Sequence, residues 1–250
     1  MNSEAFIELS GVDVVWEGGT TALLRDVNWR IAHGECWAVG GAPASGKTSL
    51  LATAASLNRP GAGSQRMFGR DLAEATEEEQ VNWRRRIGYV FETGGRLLNH
   101  LTIAQNVALP LRYHLDLDDE PLGERVDQLL ARAELRTLAR AMPSRLSLRQ
   151  QQRASLARAL AVPTEVLFLD NPLSGLGQRD VRWWTDYLHE LRREHTTGGA
   201  VLTVVATCDD FRAWLELATH FAVIDNEQFR VLGGREQVLA SNEPLVRELL

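Results

Sequence analysis

An eight-residue stretch in the first fifth of the chain has the residue types and spacing of a phosphate-binding loop. Residues 41–48 read Gly-Ala-Pro-Ala-Ser-Gly-Lys-Thr and fit the pattern G-x-x-x-x-G-K-[ST]. In such a loop, backbone N–H groups point inward and surround phosphate oxygens. The Lys47 ammonium would neutralise the β- and γ-phosphates of ATP, and the Thr48 hydroxyl would hold Mg²⁺. The predicted nucleotide site comprises Gly41, Ala42, Pro43, Ala44, Ser45, Gly46, Lys47, Thr48 and Ser49.

The segments on either side place this loop between a strand and a helix. Cys36–Gly40 is a short apolar run, and Lys47–Leu57 is a good helix sequence. A bound phosphate would therefore lie against the positive N-terminal end of a helix. The alternative, an ordinary Gly- and Ala-rich turn, is disfavoured by the order strand, loop, helix.

The rest of the chain alternates between strand and helix patterns. Near the N-terminus, Phe6–Leu9 and Val12–Trp16 are rich in β-formers and are separated by a break at Gly11, and Val27–Ile31 follows. Further strands are predicted at Ile87–Phe91, Val166–Asp170, Ala200–Thr207 and Phe221–Asp225. Helices are predicted at Glu77–Arg86, Asp180–Arg193 and Asp209–Leu217. This alternation indicates an α/β fold with a mostly parallel sheet that helices cover.

The middle of the chain, residues 93–163, has a different character. Between Leu101 and Leu160 there is almost no strand pattern, whereas several helical patterns are present. A helix over Asp127–Leu138 would place its leucines near one face, and Pro121 suits the first turn of its own helix. We therefore predict a helical insertion in this part of the chain.

Composition excludes several classes of protein. With 27 Lys+Arg against 33 Asp+Glu, the chain lacks the overall basic charge of a nucleic-acid-binding protein. No apolar run approaches the ~18–20 residues that span a bilayer, and residues 1–5 do not resemble a signal peptide. The two cysteines are far apart, and the six histidines show no i, i+3 or i, i+4 pairing. We expect a reducing cytoplasm and no metal site made of protein ligands alone.

Four further segments resemble, in order, the motifs of an ABC-type nucleotide-binding domain. Residues 144–153 (Ser-Arg-Leu-Ser-Leu-Arg-Gln-Gln-Gln-Arg) resemble the signature segment, and Val166–Pro172 resembles the second acidic motif. Ser174–Leu176 follows it as the D-loop does, and Ala206–Asp209 occupies the place of the switch histidine. Together with the phosphate loop, the resemblance covers essentially the whole chain.

The resemblance implies a fold and an assembly. The fold is a P-loop NTPase, with a RecA-like mixed sheet, helices on both faces, N-terminal antiparallel β-strands and an inserted α-helical subdomain. Residues 1–250 would form one nucleotide-binding domain, with an ATP-binding core over 1–92 and 164–250 and a helical subdomain over 93–163. The implied cofactors are ATP and Mg²⁺. The implied partners are a second ATPase subunit, identical or different, and an integral membrane permease.

The family arrangement also implies roles for particular residues. Two such domains sandwich two ATP molecules, so each ATP meets the loop of one chain and the signature segment of the other. The residues implied to contact ATP in trans are Ser147, Arg149 and Gln150. The residues implied to bind Mg²⁺ are Thr48, Glu92 and Asp170. Trp16 stands where the family has an aromatic residue that stacks on adenine, and the alternative is a strand-end tryptophan that covers the edge of the core.

The positions that would hydrolyse the bound ATP depart from the family pattern. The glutamate after the second acidic motif is Asn171, whose amide cannot accept a proton from water, and losing a general base typically costs ~10²–10⁴ in rate. The switch histidine is Cys208, a weak hydrogen-bond donor. We interpret both residues as relics. The Q-loop glutamine is Glu92, which is either a drifted position or a Mg²⁺ ligand that also replaces the lost base.

The signature segment and the D-loop are altered as well. Leu148 and Arg149 replace paired glycines, whose backbone N–H groups approach the opposing γ-phosphate. Leu148 should obstruct that approach, while Ser147 keeps its hydroxyl and Arg149 would offer a positive charge. Gly177 replaces the D-loop aspartate. Because all these defects lie in one chain, neither a homodimer nor a mixed dimer would contain a normal site, and we predict slow or absent hydrolysis.

A narrower resemblance is to the ATPase subunit of Mla-type lipid transporters, on Gln105–Arg112, Ala141–Ser144 and Asn242–Leu250. It implies lipid transport and an MCE-type lipid-binding protein as a further partner. We predict an ATP-binding transporter subunit, cytoplasmic and peripheral on the inner face of the cytoplasmic membrane. The alternative is a nucleotide-gated structural or regulatory subunit that does not hydrolyse ATP. A DNA-repair ABC protein is disfavoured, because no long coiled-coil insertion interrupts the chain.

Two apolar features bear on the interfaces of the chain. The permease would dock between the segment Glu92–Leu101 and the helical insertion, where Leu97 and Leu98 are either exposed or part of the subdomain core. Trp183 and Trp184 point about 100° apart on a helix. One of them is expected in the core, and the other is expected to be exposed or at an interface.

Overall fold

The computed structural model describes residues 5–16, 18–92, 96–115, 118–197 and 201–250, with the backbone alone for residues 195–197. The strands are β1 (Ala5–Val15), β2 (Ala22–Ala32), β3 (Cys36–Gly41), β4 (Ala62–Met67), β5 (Arg70–Asp71), β6 (Ile87–Val90), β7 (Val166–Leu169), β8 (Thr203–Cys208), β9 (His220–Asp225) and β10 (Gln228–Gly233). The α-helices are α1 (Lys47–Ala54), α2 (Glu77–Arg85), α3 (Ile103–His114), α4 (Asp119–Arg132), α5 (Leu148–Ala159), α6 (Gln178–Thr197), α7 (Arg235–Ala240) and α8 (Pro244–Glu248). In the ranges described, none of these helices has the length and hydropathy needed to cross a membrane.

A central six-stranded sheet has the order β10-β9-β3-β8-β7-β6. Strands β9, β3, β8, β7 and β6 pair in parallel, and β10 is antiparallel to β9. The parallel strands confirm the strands predicted from the apolar runs, with ends that differ by a few residues. Because β3, β8 and β7 are neighbours, their carboxyl ends bring the residues that follow each strand to one edge of the sheet.

A second, antiparallel sheet has the order β2-β1-β4-β5. The predicted break at Gly11 is wrong, because β1 runs from Ala5 to Val15 without interruption. Gly11 instead has a φ of 58° and lies at an irregular step in the pairing of β1 with β2, so it bends the strand as a bulge does. Strands β4, β5 and β10 were not predicted, since their sequences are mostly polar and exposed.

Alternation of side chains along β3 divides the interior into two cores. Cys36 and Ala38 lie in a core shared with helices α3 to α6. Trp37 and Val39 point to the opposite face and pack in a core with α1 and the antiparallel sheet. Each large side chain buried in this way contributes about 1.5–3 kcal/mol relative to exposure. The central sheet is therefore covered on both faces.

Between β6 and β7, the described residues form α3, α4, α5 and two 3₁₀ turns, and no strand. Val107 of α3, Leu130 of α4 and Leu156 of α5 are buried in the same core as Leu167 and Val204 of the sheet. The predicted helical insertion is therefore helical where it is described. Residues 93–95 and 116–117 of that insertion lie outside the described residues.

The helix predicted over Asp127–Leu138 has the wrong bounds. Helix α4 runs over Asp119–Arg132, with Pro121 in its first turn as expected, and a separate 3₁₀ turn covers Arg136–Leu138. Between them Glu134 has a φ of 58°. A left-handed residue cannot continue a right-handed helix, so the chain changes direction there.

The helix predicted over Asp209–Leu217 is also wrong. The structure has a single 3₁₀ turn at Arg212–Trp214 in this segment. The Asp210 carboxylate accepts a hydrogen bond from the Arg212 backbone N–H at 2.8 Å. Such local side-chain bonds compete with helix formation, which the apolar pattern alone does not reveal.

The two adjacent tryptophans of α6 have different surroundings. Trp184 is 1% exposed and lies in the core. The Trp183 ring stacks on Tyr187 at 5.0 Å between centroids, and the Arg153 guanidinium lies 3.9 Å from its centroid. One tryptophan is thus buried as expected, and the other is partly covered by its own chain.

We predict that Trp184→Ala lowers the free energy of unfolding by ~3–5 kcal/mol, because it leaves a cavity in the core. Trp183→Ala is the matched control, and it should cost less because it removes a partly exposed ring and a cation–π contact worth ~0.5–2 kcal/mol. Urea denaturation of both variants measures the difference. Equal losses would contradict the assignment of Trp184 to the core.

Candidate nucleotide site

The predicted phosphate loop joins the end of β3 to the start of α1. Gly46, at the N-cap of α1, has a φ of 97° and makes no side-chain cap, and Ala44 has a φ of 60°. A Cβ on Gly41 would lie 2.8 Å from Ser45 Oγ and 2.9 Å from the Ile224 carbonyl oxygen. Only glycine fits at position 41 without a shift of the backbone. The loop is thus a tight turn that leaves the first N–H groups of α1 without side-chain partners.

A cavity of about 260 Å³ opens on this loop. It lies at the carboxyl edge of the sheet, where the ends of β3, β7 and β8 meet. Its lining residues are Pro43, Ala44, Ser45, Gly46, Lys47, Thr48, Glu92, Asp170, Asn171 and Asp209. The structure therefore brings together the loop, the second acidic motif and the Q-loop position, as the resemblance implied.

The Lys47 side chain is folded into the loop and is nearly buried, with 8% of the residue exposed. Its Nζ donates to the carbonyl oxygens of Gly41 at 2.6 Å and Ala42 at 2.9 Å. It also forms an ion pair with Asp209 Oδ1 at 3.0 Å. A buried ammonium needs such partners, because an unpaired buried charge is costly.

Asp170 is buried beneath the loop and faces Thr48. Its Oδ1 accepts hydrogen bonds from Thr207 Oγ1 at 2.9 Å and Thr48 Oγ1 at 3.1 Å. Burial is the main cause that raises the pKa of Asp170 above its ordinary value, and the nearby Glu92 carboxylate adds to the increase. The two threonine hydroxyls and Lys47 oppose this shift of the pKa.

Asn171 is held by hydrogen bonds from its side chain and its backbone. Its Nδ2 donates to Glu92 Oε1 and to Asp209 Oδ2, each at 2.8 Å. Its backbone N–H donates to Thr207 Oγ1 at 2.8 Å, and its φ is 44°. Asparagine tolerates this left-handed conformation better than most residues do. The amide thus joins two carboxylates that would otherwise repel each other.

The Cys208 side chain points to the face of β8 that is turned away from the loop cavity. Its thiol is buried and lies 3.8 Å from the carbonyl oxygen of Val39, and Cys208 does not line the loop cavity. Burial raises the pKa of this thiol well above its usual range. Because side chains alternate along a strand, Thr207 and Asp209 face the site when Cys208 faces the core. The structure therefore does not place the switch-position thiol at the phosphate loop.

Sequence reasoning missed Asp209 and Thr207 as site residues. Thr207 donates to Asp170 and accepts from Asn171, and Asp209 pairs with Lys47. Both residues belong to the segment that was compared with the switch motif. The period-2 pattern of β8, continued one residue beyond its end at Cys208, was the signal that would have identified them, since it puts positions 207 and 209 on one face.

The signature residues bond within their own chain at the start of α5. Gln150 Oε1 accepts from the Ser147 backbone N–H at 2.9 Å and from Ser147 Oγ at 3.0 Å, which forms a capping box. Arg149 pairs with Asp180 at 3.2 Å, and the exposed fraction of Leu148 is 49%. None of these signature residues lines the cavity of their own loop. Their assignment to a nucleotide in trans is compatible with this position.

Two other predicted positions are open to solvent. Trp16 is 66% exposed, so the alternative in which it covers the edge of the core does not hold. A Cβ on Gly177 would meet nothing within 4 Å. Position 177, where the resemblance implied an aspartate, therefore has open space around it.

The residues present fit the phosphates and the metal ion that the motif implies. Ser45 Oγ is buried and has no hydrogen-bond partner among the described residues, so a polar group is available inside the loop. Thr48 and Asp170 place a hydroxyl and a carboxylate side by side, and Mg²⁺ prefers such oxygen ligands. Within the described part of the chain, no group of three or more His, Cys, Asp or Glu could hold a metal ion. Phosphate oxygens and water would complete the coordination.

Comparison with known proteins gives the same identification as the motifs. The family model described as "ABC transporter" matches residues 24–174. A sulfate/thiosulfate import ATP-binding protein CysA from Caulobacter vibrioides is 38% identical over 88% of this chain and 62% of its own length. A macrolide export ATP-binding/permease protein MacB from Hahella chejuensis is 34% identical over 80% of this chain and 30% of its own length. The chain thus spans less than two thirds of the length of either relative.

Solved structures confirm the predicted fold class. The ATP-binding cassette MJ0796, in a dimeric post-hydrolysis state bound to ADP and Pi, superimposes with a TM-score of 0.80 at 26% identity. The match covers 91% of this chain and 99% of that one. The mixed sheet with helices on both faces, the antiparallel strands and the helical insertion are therefore those of a known cassette fold.

The narrower resemblance to Mla-type lipid transporters is not supported by these relatives. Their names refer to import of sulfate or thiosulfate, export of macrolides and, for a third relative from Lactobacillus delbrueckii subsp. bulgaricus, import of methionine. Segments such as Gln105–Arg112 therefore carried less information about cargo than the narrower interpretation assumed.

We predict that Asp170→Asn stabilises the ligand-free protein at neutral pH while it weakens Mg²⁺-dependent ATP binding. The raised pKa of Asp170 means that its ionised form is disfavoured in the folded state. The stability associated with the protonated form is present at low pH and is lost as pH rises through the folded pKa. The variant should therefore melt about 2–4 °C higher for each 1 kcal/mol that its free energy of unfolding gains. This gain should vanish as the pH falls to ~3.9, the ordinary pKa of aspartate.

Thermal melting at several pH values, without nucleotide, measures this effect. Asp186→Asn, an exposed position on α6, is the matched control and should leave the melting temperature unchanged. A variant Asp170→Asn that melts lower than the wild type at neutral pH would show that the carboxylate is not under strain from burial.

Proposed function

Because this chain belongs to the ABC transporter family, we propose that it is the ATP-binding subunit of a transporter and binds Mg²⁺–ATP at residues 41–49. The observation that carries the proposal is the position of Lys47. Its ammonium lies in the loop, beside the paired Thr48 and Asp170 and within a cavity that opens to solvent. A cation, a helix N-terminus and an oxygen pair that suits a divalent ion are thus arranged for a nucleotide triphosphate.

Each group has a defined role in this proposal. Lys47 exchanges its contact with Asp209 for the β- and γ-phosphates, and the loop N–H groups hold the same phosphates. Thr48 and Asp170, with Glu92 nearby, would hold Mg²⁺, which would offset the negative charge of the phosphates. Trp16, which is exposed, stacks on the adenine ring.

We propose that hydrolysis is slow. Asn171 has no proton-accepting group, and Cys208 is buried away from the loop, so neither supplies what the usual residues supply. Leu148, exposed at the start of α5, carries a side chain where the family has a glycine. Losing a general base alone costs ~10²–10⁴ in rate, and the other losses act on the same step, so their costs do not simply add.

A second ATPase subunit completes the site in this proposal. Ser147, Arg149 and Gln150 of one chain would contact the nucleotide of the other, since they lie outside the cavity of their own loop. The dimeric state of the MJ0796 cassette supports such an arrangement. We retain the division into a core over 1–92 and 164–250 and a helical subdomain over 93–163.

A permease is the other partner in this proposal, which makes the subunit peripheral on the cytoplasmic face of a membrane. Leu97 is buried, whereas Leu98, Leu109 and Tyr113 are exposed on or before α3. These three side chains supply an apolar surface beside the segment Glu92–Leu101, although residues 93–95 of that segment lie outside the described residues.

In this proposal, the permease and its binding protein recognise the transported substrate. Relatives named for sulfate, macrolide and methionine transport are similar to this chain at 31–38% identity, so the cassette itself does not encode one cargo. Lipid transport and an MCE-type partner find no support among these relatives and do not enter the proposal.

A nucleotide-gated subunit without turnover is the second candidate. The amide at position 171 favours it, because an amide can hold water in place without taking its proton. ATP would then act as a ligand that stabilises a closed dimer through its higher affinity for that state. Phosphate release that depends on Lys47 separates the two candidates.

We predict that Lys47→Ala weakens Mg²⁺–ATP binding ~10- to 150-fold, the effect of losing ~1.5–3 kcal/mol of charged hydrogen bonds. Calorimetric titration measures the affinity, and phosphate release is recorded in parallel. Because Lys47 is the only lysine of the chain, the control is an arginine: Arg230→Ala removes a cation of β10 that pairs with Glu243 and does not line the cavity. An unchanged ATP affinity in Lys47→Ala would overturn the proposed function.

We predict that Leu148→Gly raises the rate of phosphate release and the fraction of dimer formed with ATP, because it removes a side chain that blocks backbone approach. Leu148→Ala is the matched control, since it shortens the side chain but keeps the Cβ. Phosphate release and analytical ultracentrifugation with ATP measure both effects. If the glycine and alanine variants behave alike, the backbone approach is not what limits this site.

A further inference from the structure

The Asp209 carboxylate is the acidic group at the phosphate loop to which no motif assigned a role. Building on the proposed function, we propose that Asp209 replaces the missing general base and accepts the proton of the water that attacks the γ-phosphate. Asn171 holds it in place for this step. The chain would then retain a slow, genuine ATPase activity with a relocated carboxylate.

The two carboxylate oxygens of Asp209 contact different residues, Lys47 on one side and Asn171 on the other. Oδ1 lies 3.0 Å from Lys47 Nζ, and Oδ2 accepts from Asn171 Nδ2 at 2.8 Å. Lys47 is the group that meets the terminal phosphates, and residue 171 is the position where a base would hold water. A carboxylate that touches both is within reach of a water molecule placed between them.

Asn171 explains why the base has moved. A side-chain amide has two N–H donors, and here one bonds Glu92 and the other bonds Asp209. A carboxylate at position 171 would place three acidic groups together, and their mutual repulsion would displace at least one. The Asn171 amide, at the usual base position, therefore holds the Asp209 carboxylate in place through this hydrogen bond.

Of the two carboxylates held by Asn171, Asp209 is the better candidate. The Glu92 carboxylate lies near Asp170 and helps to raise the pKa of that carboxyl, so Glu92 is close to a proposed Mg²⁺ ligand. Asp209 lies on the Lys47 side and remains partly open to solvent, with 46% of its side chain exposed. Asp209 is thus the carboxylate of the two that contacts the cation expected to meet the phosphates.

The chemical step balances with the groups present. Lys47 turns from Asp209 to the phosphates of bound ATP, which frees Oδ1. The water oxygen forms a bond to the γ-phosphorus as its proton passes to Asp209, and the bond to the bridging oxygen breaks with its electron pair on ADP. The proton then leaves the exposed carboxylate for solvent.

The same contact gives Asp209 a second, measurable effect. In the ligand-free protein its carboxylate competes with phosphate for the Lys47 ammonium. Removing the charge of Asp209 should therefore strengthen ATP binding while it slows the chemical step. A residue that merely supported the fold of the loop would weaken binding instead, so the two readouts separate the roles.

The test compares wild type, Asp209→Asn and Asp210→Asn in the full chain. Asp210 is the matched control, because its carboxylate bonds Arg212 and does not line the loop cavity. We expect Asp209→Asn to bind Mg²⁺–ATP as tightly as wild type or more tightly, and to release phosphate ~10²-fold or more slowly under single-turnover conditions. Asp210→Asn should match wild type in both respects.

A direct measurement of the ion pair accompanies the kinetics. Since the chain contains a single lysine, isotope labelling of lysine gives one side-chain ammonium signal for NMR. That signal should shift in Asp209→Asn without ATP and should converge with that of wild type once ATP is bound. An ammonium signal that does not respond to the substitution would overturn the inferred competition.

The remaining outcomes are decisive. Phosphate release by Asp209→Asn at the wild-type rate, or loss of its ATP binding, would overturn the inference. ATP binding by wild type without any Lys47-dependent turnover would also overturn it, while leaving the proposed ATP-binding function intact. Failure of wild type to bind ATP would overturn that function itself. Finally, Asn171→Glu should release phosphate more slowly than wild type. Faster phosphate release than wild type would show that residue 171, and not Asp209, is the position of the base.

Discussion

The buried ammonium of Lys47 is the interaction on which the rest of the site depends. It lies in a loop that must curl tightly enough to present two carbonyl oxygens to it, and Gly41 and Gly46 permit that curl. The loop in turn needs β3 between β8 and β9 and α1 behind it. Because an uncompensated buried charge is costly, Asp209, the residue that directly follows β8 and pairs with the ammonium, is part of the same arrangement.

The charges around the loop explain why the site requires a ligand. Asp170, Glu92 and Asp209 line one small cavity, and Lys47 is the cation among the residues that line it. Two threonine hydroxyls and the Asn171 amide supply neutral donors that hold these carboxylates apart. A divalent cation would offset the remaining negative charge, and a phosphate chain would then occupy the position that Asp209 holds beside Lys47.

Much of the architecture was predictable, because the strands of the central sheet are continuous apolar runs that end at recognisable motifs. The polar strands β4, β5 and β10 were not predicted, since their mostly polar and exposed side chains form no apolar pattern. The helix expected over Asp209–Leu217 does not form, because the Arg212 backbone N–H donates a local hydrogen bond to the Asp210 carboxylate, which favours a tight turn. In the site, Lys47, Thr48, Glu92, Asp170 and Asn171 were found from motifs, whereas Thr207 and Asp209 were not.

The sequence by itself determined the phosphate loop and the family of the fold, because these depend on residue type and order. Tertiary structure alone decided how Asn171, Cys208 and Asp209 are placed around the loop. The parallel pairing of β7 with β8 sets Asn171 between two carboxylates, and the alternation of β8 turns Cys208 into the core and Asp209 toward the loop. Lys47 and Asp209, for example, are 162 positions apart in the sequence, and only folding brings them within bonding distance.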